Sequence, residues 1–290
     1  MLSAAALSAA WLRNPWLLWG VGPILASVTG FSAAAALLEL LLATSWFDSC
    51  LITYASSSNT PRKQLMAATH KRISFTKQLR GSAKTLLGPN NVINGIGLTL
   101  LMLWAQPHVA AWMPGTVFGF LVQFVALSLV GDFGLYWGHR VQHESKLLWR
   151  LHSKHHAIDT PSPFSTLFIH PTDAALQGAI PFAVAALVVR PDPGVLYIYI
   201  AARISENALN HSGIDSPLLD LLTLKTLPFR APAAFHDAHH KYCNHAYKAS
   251  NYGESFWLWD WAFGTLCPLS GRAASKAAGG EAKQADIKAR

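Results

Sequence analysis

Charge is scarce in this 290-residue chain: Asp, Glu, Lys and Arg make up 13% of it, against roughly 25% in a soluble globular domain. A deficit of that size points to a chain that keeps much of its surface in lipid. Acidic residues are missing altogether between Asp48 and Asp132, while Arg62, Lys63, Lys71, Arg72, Lys77, Arg80 and Lys84 all fall in that stretch. The net charge of +8 thus gathers beside apolar runs and does not interleave with aromatics. That argues against a nucleic-acid partner and for a solvated basic loop on the cytosolic side of a membrane. The three cysteines, Cys50, Cys243 and Cys267, are too few and too scattered for a disulfide framework. The nucleotide fingerprint GxGxxG, the haem-binding HPGG and the zinc-protease HExxH are all absent.

What is present is apolar sequence in long runs. Residues 24–44, 92–112 and 117–137 each approach the roughly 20 residues that a spanning helix needs, and Met113-Pro114-Gly115 marks a turn between the last two. Two shorter runs, 174–189 and 194–202, flank Arg190-Pro191-Asp192-Pro193 and form a second hairpin, spanning or re-entrant. The expected fold is all-α: an integral-membrane helical bundle of about four spanning segments in hairpins, with a histidine-rich helical cap on the cytosolic side. Residues 1–19 read as an interfacial lead-in, with a transit peptide the alternative. Residues 269–290, rich in Ala, Lys and Gly, read as a disordered tail. Trp257, Trp259 and Trp261 read as interfacial anchors.

Nine of the 13 histidines form a pattern. His139 and His143 stand in HRVQH, His152, His155 and His156 in HSKHH, His236, His239 and His240 in HDAHH, and His211 in NALNHSG. Residues three and four apart share a helix face, so each cluster is expected to aim its imidazoles at one point. His70 and His108 read as ordinary core or surface histidines, and His245 as a loop residue with an extra-ligand role as the alternative. Four ligands complete a tetrahedral zinc site, whereas eight or nine nitrogens supply two metals with positions left open. Imidazole alone does not choose among Zn, Cu, Fe and Ni. Without a carboxylate base inside any cluster, a membrane zinc hydrolase is the weaker reading and oxygen activation by two irons the stronger. A non-enzymatic metal carrier would need polar residues along the apolar runs, and they are sparse there.

The clusters, in this order, resemble the fatty acid hydroxylase/sterol desaturase superfamily of membrane di-iron enzymes, over residues 131–265. Gly131-Asp132-Phe133 with Tyr136-Trp137-Gly138-His139-Arg140 is similar to the helix entering the first box, and His170-Pro171-Thr172-Asp173 to the HPxE segment, with Asp for Glu. His211-Ser212-Gly213 with Asp215 and Pro217, then Asn251-Tyr252-Gly253, Trp259-Asp260 and Phe263-Gly264-Thr265, resemble the C-4 sterol methyl oxidase branch. Ile214 and residues 241–250 depart from that branch.

The resemblance implies that His139, His143, His152, His155, His156, His211, His236, His239 and His240 ligate two Fe ions, with O2 as co-substrate. Asn207 is a candidate additional ligand one turn before His211, and His170 a supporting or structural residue. Asp132, Asp173 and Asp237 are candidate acceptors for ligand N–H groups. Residues 1–125 are then a membrane-anchoring region and 126–268 a catalytic domain. The implied reaction is hydroxylation of an unactivated C–H bond of a membrane lipid, with a C-4 methyl sterol first. Fatty acyl hydroxylation, desaturation or carotenoid hydroxylation are the alternatives. Two electrons per turnover imply a separate donor of cytochrome b5 or reductase type. The family also implies a multi-pass protein of the endoplasmic reticulum, its histidines facing the cytosol.

Overall fold

The computed structural model describes residues 14–52, 60–105 and 115–267. The expected tail, most of the N-terminal lead-in, His108 and most of the Met113-Pro114-Gly115 turn lie outside them. Among the described residues twelve α-helices follow one another: α1 (Gly22–Ala43), α2 (Arg62–Arg72), α3 (Phe75–Leu87), α4 (Pro89–Ala105), α5 (Val117–Glu144), α6 (Lys146–His156), α7 (Pro171–Ala174), α8 (Ile180–Val189), α9 (Pro193–Asn210), α10 (Pro217–Leu222), α11 (Ala233–Tyr242) and α12 (Leu258–Ala262). Among the described residues there is no strand, only two isolated bridges, Leu51 with Ile214 and Arg230 with Phe256. The fold is all-α, as expected.

Among the described residues four helical stretches are long and apolar enough to cross a membrane: Trp16–Ala43, Phe75–Ala105, Val117–Glu144 and Pro171–Val189. Large apolar side chains stand more than half exposed on them, among them Leu40, Ile93, Leu100, Val117, Phe118 and Val188. In water such surface would be costly, whereas lipid accepts it without penalty. One expectation is corrected here. The basic stretch is not a solvated loop; it folds as α2 and α3. Ser74 caps α3 by accepting the Lys77 N–H, and Arg62 at the start of α2 is only 3% exposed.

Packing brings distant histidines to one end of the bundle. α1 lies along α9 and crosses it at Gly30, where a Cβ would meet the Ala201 carbonyl oxygen at 2.7 Å. Glycine permits that approach, a device common between membrane helices. Phe31, Ala35, Leu38 and Leu42 of α1 then share a core with Ala208, Leu209 and Ile214, fixing where His211 emerges. α5 packs on α8 and ends at Glu144, and Ser145 restarts the chain at once by capping α6 through the Leu148 N–H. That corner folds the His152 cluster back on the His139 pair. Arg190, in the left-handed region at φ 54°, ends α8 and turns the chain into α9.

Candidate metal centre

All nine histidines converge, and they do so in two groups. His139, His143, His152, His156 and His239 form one; His155, His211, His236 and His240 form the other. Within each group the ligand atoms lie within 4.8 Å of one another, and every residue is buried. The expectation that each cluster aims at a single point holds for HRVQH, whose two histidines share the first group, and is corrected for the two HxxHH clusters. In HSKHH, His152 and His156 enter the first group and His155 the second; in HDAHH, His236 and His240 enter the second and His239 the first. The reason is helical geometry. Residues four apart stay on one face, but adjacent residues diverge by about 100°. An HxxHH helix therefore straddles two sites, and two such helices facing each other serve both.

The spacing fits metal ions. Nε2 of His156 lies 3.2 Å from that of His143, 3.2 Å from that of His152 and 3.3 Å from that of His239. In the second group, His211 Nε2 lies 3.2 Å from those of both His155 and His236. Two nitrogens each about 2.0–2.1 Å from one ion stand roughly 3.0–3.4 Å apart, depending on geometry. Several ring nitrogens, including Nε2 of His139 and both nitrogens of His240, are buried with no hydrogen-bond partner in the protein. Orphans of this kind are costly unless something else occupies the space.

Tautomers are fixed from outside. Nδ1 of His139 is 2.8 Å from the Tyr252 carbonyl, Nδ1 of His143 3.0 Å from that of His245, Nδ1 of His211 2.8 Å from that of Asn207, and Nδ1 of His239 2.7 Å from that of Ser250. A carbonyl only accepts, so each Nδ1 carries the hydrogen and donates it, leaving the Nε2 lone pair facing inward. Burial, followed by neighbouring histidines, holds His155, His156 and His240 well below the usual imidazole range. The same causes act on His236 and His239. Burial also lowers His211. Neutral imidazole is the form that ligates.

The loop supplying three of those carbonyls, at His245, Ser250 and Tyr252, is braced by residues that the sequence pattern had marked. Asp260 accepts the N–H groups of Tyr252 and Gly253 at 2.8 and 2.7 Å and the Thr265 hydroxyl at 2.7 Å. Burial pushes its carboxyl up to about 7, against those donors. Asp132 accepts from Ser255 and Phe256 N–H at 2.9 and 3.1 Å. It therefore anchors the loop, where the sequence had suggested a histidine N–H. Asp237 has its two oxygens on Arg62, at 2.7 and 3.0 Å. Asp173 takes the His170 N–H through Oδ2 and faces His152 Nδ1 at 3.6 Å through Oδ1. His170 caps α7 by accepting the Thr172 N–H and lies outside both groups. His245 gives its carbonyl and leaves its ring exposed, and His70 packs edge-on against Phe75.

Sequence reasoning missed Arg62. Its guanidinium crosses 175 residues of chain to reach Asp237, between His236 and His239, and also donates to the Pro161 carbonyl. Gly213 explains the glycine after His211-Ser212: its φ is +69°, and a Cβ there would lie 1.8 Å from Arg62 Nε. Missed too was a buried ion network behind α9, in which Glu206 pairs with Lys225 and Arg230, and Arg203 with Glu254. The only hint was that Arg203 and Glu206 are the two charged residues of an otherwise uncharged helix.

A cavity of about 160 Å³ touches His155 and His211 of the four-histidine group. Its walls include Ile24, Leu98 and Phe182 on the apolar helices, with Asn207 beside His211. It does not touch the five-histidine group.

Residues 124–265 match the family described as Fatty acid hydroxylase. The chain is 33% identical over 143 residues to the very-long-chain aldehyde decarbonylase GL1-8 of Oryza sativa subsp. indica, covering 49% of this chain and 51% of that protein. It is 32% identical to methylsterol monooxygenase 2-2 of Arabidopsis thaliana, covering 49% of this chain and 52% of that one. With sphinganine C4-monooxygenase 1 of Arabidopsis thaliana the identity is 30%, covering 53% and 58%. The chain thus spans about half the length of the curated relatives it matches. No solved structure matches. Residues 124–265, which carry all nine histidines of the two groups, thus form a domain of the fatty acid hydroxylase family.

Proposed function

We propose that this protein is a membrane oxygenase that hydroxylates an unactivated C–H bond of a membrane lipid, with the C-4 methyl of a sterol as its substrate. The observation that carries the reading is the pairing of two buried all-histidine groups with a cavity that joins the four-histidine group to the apolar helices. The nine histidines are the residues that would hold two iron ions. Bound there, the irons supply the activation of O2, so that one oxygen atom enters the C–H bond and the other leaves as water, at the expense of two external electrons and two protons.

The rest of the work falls to the chain's own residues. The carbonyls of Tyr252, His245, Asn207 and Ser250 keep four imidazoles oriented. Ile24, Leu98 and Phe182 offer the alkyl part of a lipid an apolar path that excludes water and leads to His155 and His211. The five-histidine group, away from the cavity, would surround an ion with up to five imidazoles. The four-histidine group keeps room for a reactant. Neither group contains a carboxylate that could serve as a hydrolytic base, which favours oxygenation over zinc hydrolysis.

A separate cytochrome b5 or reductase supplies the electrons. Lys77, Arg80 and Lys84 lie exposed along α3 and suit an acidic donor or anionic lipid on the cytosolic face of the endoplasmic reticulum. The names of the relatives divide among aldehyde, sterol and sphinganine, so a fatty acyl or sphingoid substrate is the second reading.

The sterol reading is tested in a host lacking its own C-4 methyl oxidase. The wild-type chain is expected to lower 4,4-dimethylsterols, and His152→Ala is expected to leave them unchanged. If the wild type inserts in the membrane, carries iron and still leaves the profile unaltered, the sterol substrate is wrong and the sphingoid or fatty acyl profile is examined next.

A further inference from the structure

Arg203, Asn207 and His211 follow one another at four-residue intervals, so they share one face along α9 and its C-cap. Arg203 is 6% exposed. Its Nη2 donates to Glu254 Oε2 at 2.5 Å, but its Nη1 is buried with no hydrogen-bond partner among the described residues. Arg203, Asn207 and Glu254 all line the cavity that His155 and His211 touch.

A guanidinium cannot shed its charge to escape such a position, and an unmet buried donor is unfavourable, more so when charged. The neighbouring anions are already engaged. Glu206 takes Lys225 at 2.8 Å, Arg230 at 2.7 Å and the Ser255 hydroxyl at 2.8 Å, while Glu254 takes the other arm of Arg203 itself. A lysine would suffice if the only task were to pair with Glu254. The second arm of the fork meets no hydrogen-bond acceptor among the described residues.

We propose that Arg203 Nη1 is a substrate-binding donor, and that the lipid entering this cavity carries a hydrogen-bond-accepting oxygen, as an alcohol or a carboxylate. This rests on the lipid-oxygenase reading above. The substrate is then held at its oxygen by Arg203 while its alkyl part runs past His155 and His211. The oxidised carbon lies at a set distance from that oxygen, and a plain hydrocarbon is a poor ligand.

The test uses the metal-loaded protein in lipid nanodiscs, with dodecanol, dodecanoate and dodecane as probes at equal mole fraction in the lipid. Binding is read as the shift in unfolding temperature across a titration. In the wild type at least one oxygenated probe is expected to bind about tenfold more tightly than dodecane, the worth of a charge-assisted hydrogen bond. Arg203→Lys keeps a cation for Glu254 but lacks the second arm; it should lose most of that preference and leave dodecane binding unaltered. Which of dodecanol and dodecanoate gains more identifies the oxygen as hydroxyl or carboxylate. Equal binding of all three probes by the wild type would overturn the proposal without needing the variant, as would a full preference retained in Arg203→Lys. Failure of every probe to bind, dodecane included, would instead count against the lipid cavity.

Discussion

Replacing His156 with alanine is expected to empty the five-histidine group and lower lipid oxidation by more than about a hundredfold, since changes even outside the ligand shell cost 10–100-fold. His156 is the hub of that group. Its Nε2 is within 3.3 Å of three other imidazole nitrogens, and no other residue there has as many such neighbours. Its chain neighbour His155 belongs to the other group. His156→Ala should therefore lose one equivalent of metal, and His155→Ala the other. Metal content per chain beside the turnover rate distinguishes this from general unfolding, which would release both metals in either variant.

Arg62→Ala is expected to destabilise the protein by about 3–5 kcal/mol, the range for breaking a buried ion pair by removing one partner. The loss leaves the Asp237 carboxylate, 2% exposed, without the guanidinium that met both its oxygens. Asp237 sits on α11 between His236 and His239, so the strain falls on both histidine groups at once. Thermal unfolding of the loaded protein should show an earlier transition and earlier metal release. The double variant Arg62→Met with Asp237→Asn should recover part of the loss, because removing both charges abolishes the uncompensated one. Equal unfolding temperatures for Arg62→Ala and the wild type would mean that the pair carries no weight.

These two residues mark how far the sequence could be read. His156 was legible because imidazoles at three- and four-residue spacing have few uses other than a shared centre, and that pattern survives without knowledge of the fold. The runs at 24–44, 117–137 and 174–189 were legible for a related reason: apolar length is a local property. Arg62 was not legible. In a stretch with six other cations it looks solvated, and its partner is 175 residues away. The same blindness made Asp132 and Asp237 look like acceptors for histidine N–H groups. Proximity in sequence suggested it, but the carbonyls of the loop around residues 245–252 had taken much of that role, a pairing that only tertiary structure reveals. The division of each HxxHH between two groups was derivable from 100° per residue. It needed two facing helices before it had a meaning.

The central claim is that the two histidine groups hold two irons. It is met most directly by metal analysis of the membrane-extracted protein, purified without chelators from iron-replete cells and assayed for oxygen-dependent lipid oxidation in the same preparation. Close to two irons per active chain are expected, falling to about one in both His156→Ala and His211→Ala. Active protein holding zinc in their place, or a wild-type chain that oxidises lipid with one iron or none, would contradict it.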